Sequence, residues 1–274
     1  MSRVTVRTPI RRYRDGAFTS RPDSVAGEEP LEIRLDGAPL SVTMRTPGAD
    51  IDLVHGLLHA EGLITSANDV RSARYCNGTD EDGRNTYNVI DVELVNPAAV
   101  APTARRFTTS SACGVCGSES VHAITHRMRH PLGAGPHLSP AQLSALPDEL
   151  RTRQKAFERT GGLHAAALVR PDGTLGAVRE DVGRHNAVDK IIGSSMLGGT
   201  FPLTDHALLT SSRASFELVQ KALLAGIGML VAVSAPSSLA VQLATDGGLT
   251  LVGFTSTAGF NVYSGQQRIE GATV

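Results

Sequence analysis

Residues 207–254 read ALLTSSRASFELVQKALLAGIGMLVAVSAPSSLAVQLATDGGLTLVGF. Three short apolar runs alternate in this stretch with two segments whose apolar residues recur at helical spacing. The pattern predicts strands at Ala207–Ser211, Met229–Ser234 and Leu249–Phe254 and helices at Ser215–Ala225 and Ser237–Ala244. Strands that are joined through helices pair in parallel by right-handed crossovers, so the stretch predicts an α/β fold.

The three predicted strands all end in polar residues. Ser211-Ser-Arg213 follows the first, Ser234-Ala-Pro-Ser237 the second, and Phe254-Thr-Ser256 the third. In an open α/β sheet, ligands bind outside the carboxyl ends of the strands. Hydroxyl groups, free helix N-termini and one arginine converge there, which favours a ligand that carries phosphate.

The segment before residue 207 extends this α/β pattern. It predicts a helical region from Ser139 to about Arg159, interrupted by Pro147 and ended by Gly161-Gly162. It also predicts strands at Leu163–Val169 and Leu175–Glu180 and a helix from about Arg184.

The first hundred residues predict a smaller α+β unit. Residues 1–30 are expected to be partly disordered apart from a short strand at Val4–Val6. A hairpin of Leu31–Leu35 and Leu40–Met44 around Asp36-Gly37, a helix capped by Asp50 and ended by Gly62, and strands at Val70–Tyr75 and Tyr87–Val95 around the turn Asp80–Gly83 are expected to follow. We therefore expect a small N-terminal domain over residues 1–104 and a larger α/β domain over 105–274.

The composition excludes several classes of protein. The 274 residues are 41% hydrophobic and 4% aromatic, without tryptophan, and the net charge of −1 argues against a nucleic-acid binder. Three cysteines are too few for a secreted disulfide framework. The N-terminus has no apolar signal segment, and the longest apolar run, Ala222–Ala235, is too short to cross a membrane. We expect a cytoplasmic protein.

Two of the cysteines lie in Phe107-Thr-Thr-Ser-Ser-Ala-Cys113-Gly-Val-Cys116-Gly-Ser-Glu-Ser120. Its small, turn-forming residues predict a mobile, exposed loop, followed by a helix over about Glu119–Met128. Backbone N–H groups and Arg105-Arg106 would favour the thiolate, which is the nucleophile and the metal ligand. The pair fits half a zinc site, a redox dithiol, or a relay that carries sulfur as a persulfide; two idle surface thiols are the plain alternative.

A zinc site has some support. His59-Ala-Glu61 is an H-x-E motif, and zinc deaminases combine H-x-E with a later P-C-x-x-C. Ala112 replaces that proline, and His59 ends an amphipathic helix of the other predicted domain, where we expect a solvated side chain. Gly56 replaces the glutamate of a metalloprotease H-E-x-x-H motif. No thioredoxin pattern surrounds the pair, and Cys76, on a predicted strand edge, is expected to be structural.

Ionisable residues crowd the segment Arg179-Glu-Asp-Val-Gly-Arg-His-Asn-Ala-Val-Asp-Lys190. A helix N-terminus beside Arg184, His185 and Lys190 would make an anion cradle. A solvated helix start with Glu–Arg pairs is the other interpretation. His164, which follows Gly161-Gly162, fits either a strand-end site residue or a structural histidine.

Five ordered motifs together resemble one known family. They are Ser-Ser-Ala-Cys113-Gly-Val-Cys116-Gly, Gly-Gly-Leu-His164-Ala-Ala, Glu180-Asp-Val-Gly-Arg-His-Asn-Ala-Val-Asp-Lys, Ser211-Ser-Arg213 and Leu251-Val-Gly-Phe254. From about residue 30 onward, the chain resembles the FdhD family, the formate dehydrogenase accessory sulfurtransferases.

The resemblance implies a sulfur carrier. A cysteine desulfurase would load sulfur on Cys113 as a persulfide, with Cys116 as an assisting thiol. The sulfur would then pass to the molybdenum or tungsten bis-guanine-dinucleotide cofactor, Mo-bis(molybdopterin guanine dinucleotide), before formate dehydrogenase receives it. The family implies a three-layer, cytidine deaminase-like α/β core without zinc, a small N-terminal domain and a homodimer.

The family's cofactor segment maps onto Phe254-Thr255-Ser256-Thr257-Ala258-Gly259. This segment often carries Arg or Lys in the family, and here it has neither. Arg184, His185 and Arg213, with Ser211 beside them, are therefore expected to meet the GDP-like phosphates of the cofactor. A zinc-dependent nucleobase or nucleoside deaminase, and a nucleotide-binding adaptor with inert cysteines, are the alternative hypotheses.

Overall fold

Residues 3–76, 86–96, 107–108 and 130–272 are described by a computed structural model. Their strands are β1 Thr5–Arg14, β2 Ala17–Ala26, β3 Glu29–Leu35, β4 Ala38–Arg45, β5 Val70–Tyr75, β6 Val89–Leu94, β7 Phe107–Thr108, β8 His164–Val169, β9 Leu175–Asp181, β10 Ala207–Thr210, β11 Met229–Ala232, β12 Thr250–Ser256 and β13 Gly259–Ser264. Their α-helices are α1 Asp50–Ala60, α2 Pro140–Arg153, α3 Lys155–Thr160, α4 Arg184–Leu197, α5 Phe216–Leu224 and α6 Ser238–Asp246. The protein is mixed α/β.

The larger sheet has the strand order β13-β12-β11-β10-β8-β9. The predicted parallel pairing of β10, β11 and β12 is confirmed. On one side β8 and β9 continue the sheet in antiparallel pairing, and on the other side β13 does so. The polar ends of three parallel strands therefore share one edge, as the sequence predicted.

Both faces of this sheet are buried because successive residues point to opposite sides. On β8, Ala166 and Leu168 pack in a core that includes α1, α4, α5 and α6. Ala167 packs in a second core together with α2, through residues such as Leu146. Helices therefore cover the sheet on both faces.

The α2–α3 region differs from its prediction. Ser139 caps α2, accepting a hydrogen bond from the N–H of Gln142 at 3.3 Å, and Pro140 occupies the first turn. Pro147 lies inside α2 without ending it, so the predicted interruption there is wrong. The helix instead breaks at Gln154, whose backbone (φ −82°, ψ 68°) separates α2 from α3.

The smaller sheet has the order β5-β6-β3-β4-β7, and it confirms the predicted hairpin. Asp36 (φ 49°) and Gly37 (φ 80°) form its left-handed turn. Asp50 does not cap α1, since Ala49 precedes the helix. The buried carboxylate of Asp50 instead accepts hydrogen bonds from Arg45 at 2.9 Å and the Tyr75 hydroxyl at 3.0 Å. The predicted turn at residues 80–83 lies outside the described residues.

Helices α1 and α4 cross with their backbones in contact. A Cβ atom at Gly56 would collide with the carbonyl of Asp189, and one at Gly193 with the carbonyl of Asp52. The two glycines therefore allow a helix approach that no other residue would permit.

Strands β1 and β2 form a separate two-stranded ribbon with a ten-residue register, where partial disorder was predicted. That prediction is wrong. Five arginines and two aspartates lie between Thr5 and Ala26, and the tip exposes Tyr13 and Phe18. The base of the ribbon packs on α3.

Within the part of the chain that the structure describes, no helix combines the length and the apolar character needed to cross a membrane.

Candidate functional site at the carboxyl edge of the larger sheet

Hydrogen bonds join the ends of four neighbouring strands into one continuous edge. The Ala165 N–H donates to Ser211 Oγ at 2.9 Å, and the Ser211 N–H donates to the Ala165 carbonyl at 2.9 Å. The Ser234 N–H donates to the Ser212 carbonyl at 3.4 Å, and the Phe254 N–H donates to the Ser234 carbonyl at 3.3 Å. The predicted residues Ser211 and Phe254 thus lie on the same edge.

Two arginines and a histidine lie near His164 at the β8 end of this edge. Burial lowers the pKa of His164, and the charges of Arg184, His185 and Arg213 lower that pKa further, against an opposing effect of Asp181. We call Arg184, His185 and Arg213 the cation group. The three predicted phosphate-binding residues are therefore close together, and with burial they keep the pKa of the neighbouring His164 low.

The start of α4 places two of these side chains. The Nε atom of Arg184 is buried without a hydrogen-bond partner in the part of the chain that the structure describes. His185 Nε2 lies 2.6 Å from Glu217 Oε2 and 3.3 Å from Ser215 Oγ. The hydrogen bond from His185 lowers the pKa of Glu217. A buried donor without an acceptor fits a site for an anion.

Other residues of the same segment have a structural role. Asp181 Oδ2 accepts from the Thr46 N–H at 3.1 Å and from Lys190 Nζ at 2.7 Å, and Lys190 also donates to the Thr46 carbonyl at 2.8 Å. Asn186 Nδ2 donates to the Met44 carbonyl at 2.8 Å. We call Asp181, Asn186 and Lys190 with Met44–Thr46 the polar clamp. Lys190 is 1% exposed, so the prediction that it belongs to an anion cradle is wrong.

The segment Phe254–Gly259 forms the end of β12 and the tight turn into β13. Phe254 interrupts the β12–β13 register with φ 53°, and its side chain is 51% exposed. The Thr255 hydroxyl is buried and donates to a carbonyl of β11 at 3.0 Å. The Ser256 hydroxyl donates to the Gly259 carbonyl at 3.3 Å. A ligand at this segment would therefore meet Phe254 and the exposed turn Thr257–Ala258, but not the Thr255 hydroxyl.

A cleft of about 630 Å³ opens beside the cation group, between the α2–α3 region and the ends of β10 and β11. Its walls include Asp148, Arg151, Gln154, Phe157, His164 and Ser211. His164 lines this cleft, and the charges of the cation group act on it, so the cleft and the cation group are neighbours at the same edge. A second concavity of about 510 Å³ is lined by ribbon residues alone.

The family model described as FdhD/NarQ matches residues 26–270. The chain belongs to the FdhD/NarQ family.

Relatives in this family match over nearly their whole length. The chain is 52% identical over 274 residues to the sulfur carrier protein FdhD of Streptomyces avermitilis, covering 98% of this chain and 97% of the relative. It is 55% identical over 268 residues to the protein of the same name from Nocardia farcinica, covering 97% and 95%. The crystal structure of a protein assigned as a formate dehydrogenase accessory protein, from Desulfotalea psychrophila, superposes with a TM-score of 0.76 at 25% identity, covering 97% of this chain and all of that one.

Cys113 and Cys116, the residues that the FdhD/NarQ resemblance singled out, lie outside the described residues. Cys76 follows β5 and is half-buried, with its N–H bonded to a carbonyl of β6 at 2.9 Å.

His59 is 8% exposed and packs edge-on against the Phe201 ring, with centroids 5.0 Å apart. The prediction that His59 is solvated is therefore wrong.

Sequence reasoning missed several residues of this candidate site. Glu217 was taken only as part of a helix, although its position one turn into α5 places it on His185. Gln154 and Phe157 carried no signal, because only the break between α2 and α3 brings them to the cleft.

Proposed function

We propose that this protein is a sulfur carrier. It accepts sulfur from a cysteine desulfurase as a persulfide on Cys113 and delivers it to the cofactor Mo-bis(molybdopterin guanine dinucleotide), which formate dehydrogenase then receives. The observation that carries the proposal is the nearly full-length similarity to relatives named sulfur carrier proteins. The Cys113-x-x-Cys116 pair supplies two thiols of the kind that this chemistry needs.

Loading is a displacement at sulfur. The Cys113 thiolate attacks the terminal sulfur of the donor's persulfide, the donor cysteine leaves as a thiolate, and Cys113 becomes the persulfide. No external oxidant or reductant is needed, because one sulfur–sulfur bond breaks as another forms.

Delivery uses the second thiol. The Cys116 thiolate attacks Sγ of Cys113, hydrosulfide leaves toward the metal of the bound cofactor, and a Cys113–Cys116 disulfide remains. The hydrosulfide takes the electron pair of the broken bond. A cellular dithiol reductant then restores both thiols.

The cofactor is the substrate, and the carboxyl edge suits its phosphates. The buried Nε of Arg184, which has no partner in the described part of the chain, offers a donor, and His185 and Arg213 lie close to it. Arginine and helix-terminal N–H groups are strong ligands of phosphate oxygens. The edge would hold the acceptor while the sulfur arrives.

The wider architecture is proposed with the function. We place a small N-terminal domain at 1–104 and a cytidine deaminase-like α/β domain at 105–274, in a cytoplasmic homodimer. Helices on both faces of the larger sheet support a three-layer core. Light scattering of the purified full chain would give twice the 28.8 kDa chain mass for the homodimer.

Intact mass spectrometry tests the carrier role. The full chain is incubated with a cysteine desulfurase and cysteine, and we expect a gain equal to one sulfur atom, lost on reduction. Cys113→Ser should abolish the gain, whereas Cys76→Ser, the matched control, should retain it. Absence of sulfur on Cys113 would contradict the proposal. Stoichiometric zinc that is lost in Cys113→Ala would instead favour the deaminase.

A further inference from the structure

The ribbon of β1 and β2 carries a charge opposite in sign to that of the rest of the chain. Five arginines and two aspartates lie between Thr5 and Ala26, which gives the ribbon a net charge of +3. The whole chain carries −1, so the residues outside the ribbon carry −4. A positive segment on a negative body attracts acidic surfaces selectively.

The tip of the ribbon presents two aromatic rings on a fixed turn. Asp15 (φ 51°) and Gly16 (φ 81°) are both left-handed, as in the two-residue turn that suits a hairpin. The turn pairs Tyr13 with Phe18, with ring centroids 5.0 Å apart, and each side chain is 63% exposed. In a chain that is only 4% aromatic, two exposed rings held side by side suit an anchor for a partner protein.

The alternation of the strands places these rings and two arginines on the same side of the ribbon. We call this side the ribbon face, and it consists of Arg7, Pro9, Arg11 and Tyr13 of β1 with Phe18 and Pro22 of β2. The Arg11 guanidinium lies 5.3 Å from the centroid of the Phe18 ring. Among the ribbon residues, all of which the structure describes, none on this face is acidic. No ion pair between described residues involves Arg7 or Arg11, so both charges are available to a partner.

The edges of the ribbon are unsuited to the addition of another strand. Pro9 pairs with Pro22, and because proline has no N–H, this pair fits only a position where the N–H groups would point outward. Each outer edge therefore lacks a donor near the middle of its strand, which discourages edge pairing. A partner is expected to meet the ribbon face.

The base of the ribbon lies at the rim of the cleft. Ala26 ends β2, and a Cβ atom at Gly162 would lie 3.5 Å from the Cβ of Ala26. Gly162 lines the cleft beside the cation group, and the base of the ribbon also packs on α3. A protein seated on the ribbon would therefore stand next to the carboxyl edge of the larger sheet.

The proposed function contains a step that requires such a neighbour. Loading needs contact between two proteins, since the Cys113 thiolate must reach a persulfide on the donor. Delivery, in contrast, goes to a cofactor that is already bound. The ribbon also precedes nearly all of residues 26–270, the part that the FdhD/NarQ family model matches. It is therefore an addition to the shared core, placed where the sulfur donor must approach.

We propose that the ribbon face docks an acidic surface of the sulfur donor. Arg7 and Arg11 pair with carboxylates of that surface, and the contact buries the rings of Tyr13 and Phe18. Arginine and aromatic residues contribute most to the affinity of protein contacts, and charges at a contact make association depend on salt. This inference rests on the proposed function, because that function supplies the donor.

Calorimetric titration of the full chain with the cysteine desulfurase tests the docking. Tyr13→Ser combined with Phe18→Ser should weaken binding at least about tenfold, because two anchoring rings are lost. Arg7→Gln combined with Arg11→Gln should also weaken binding about tenfold and should reduce its dependence on ionic strength.

A matched control removes the same charge from the other side of the ribbon. Arg12→Gln combined with Arg14→Gln alters two arginines that the register places on the opposite face, and this variant should bind within about twofold of the wild type. Equal weakening by both pairs of substitutions would show that only net charge matters, which overturns the ribbon face. A wild type that does not bind the desulfurase also overturns it.

Sulfur loading of Cys113, followed by mass spectrometry, separates this inference from the proposed function. The ribbon-face variants should raise KM for the carrier and leave kcat unchanged, because the reacting thiols are intact. A wild type that binds through the ribbon face but gains no sulfur would contradict the proposed function and support the docking. Equal KM values in all ribbon variants would overturn the docking and leave the carrier role standing.

Two other occupants of the ribbon face are outcomes of the same test. Binding of duplex DNA that is lost in Arg7→Gln combined with Arg11→Gln would assign the face to nucleic acid and overturn the proposal. A ribbon-face variant with half the wild-type mass in light scattering would assign the face to a second copy of the chain and overturn it too. We expect no binding of DNA and an unchanged mass.

Discussion

The polar clamp and the cation group come from one short segment and differ in how their charges are satisfied. In the clamp, Lys190 and Asp181 are almost fully buried, and each charge meets an opposite charge and backbone groups. In the cation group, the buried Nε of Arg184 has no partner among the described residues and lies near other positively charged side chains. Burial with complete pairing marks a structural role, and incomplete pairing beside a cleft marks a binding role.

The largest expected effect comes from a substitution that disrupts the polar clamp. Lys190→Met leaves the Asp181 carboxylate buried without its cation, which should lower the free energy of unfolding by about 3–5 kcal/mol. Urea denaturation measures this change in the free energy of unfolding.

Two further variants sharpen this test. Lys155→Met, at an exposed position of α3, is the control and should change stability by less than about 0.5 kcal/mol. Asp181→Asn combined with Lys190→Met should recover part of the loss, because both buried charges are then removed. A clamp variant as stable as the control would show that the pair contributes nothing.

The next effect separates binding from stability. Arg184→Gln should weaken GDP binding at least about tenfold, because a charge-assisted hydrogen bond is lost, and leave the unfolding midpoint nearly unchanged. Arg71→Gln, exposed on β5, is the matched control. If Arg184→Gln destabilised the protein as strongly as Lys190→Met, the distinction between clamp and cation group would be wrong.

A smaller effect is a pH dependence at His164. Burial and the cation group lower its pKa below the unfolded value of about 6.5, so below that pH the unfolded state binds more protons. The contribution of neutral His164 to stability is therefore present above the unfolded pKa and is lost as the pH falls toward the folded pKa.

NMR titration of the imidazole measures this pKa directly. Arg184→Gln should raise it by removing a neighbouring positive charge, and Arg71→Gln should not. An unchanged His164 pKa in Arg184→Gln would mean that the two side chains are not electrostatically coupled.

The smallest effect concerns Phe254. Its φ of 53° is costly for a residue with a Cβ, so Phe254→Gly should relieve about 1 kcal/mol, partly offset by lost contacts of a half-exposed ring. Thermal unfolding should therefore show a stability equal to or slightly above that of the wild type. Val262→Gly, on the neighbouring β13, is the control and should lose about 1 kcal/mol. A comparable loss in Phe254→Gly would show that the conformation is not strained.

Much of the larger sheet could be predicted because its parallel strands are short apolar runs between helical patterns. The ribbon could not, because Arg-rich and Pro-containing strands lack the alternation of a half-buried strand. Pro147 suggested a break that the helix tolerates, and the true break at Gln154 has no distinctive residue.

The site was predictable in part for a related reason. The sequence indicated Arg184, His185 and Arg213 as charges near strand and helix ends, and the structure places them together. The sequence offered no means of separating Lys190 from these three residues, because only tertiary contacts bury the Lys190 side chain against Thr46. The cleft residues on α2 and α3 depend on a helix junction that no local pattern specifies.

The contact between Gly56 and Gly193 limits how this protein can be recombined with its relatives. Since the two helices touch backbone to backbone, that contact sets the distance between α1 and α4. A chimaera that imports the smaller sheet with α1 from a relative must bring a glycine to position 56, or α4 will be displaced together with Arg184 and His185. Hybrid proteins would then lose substrate binding through a steric clash far from the substrate.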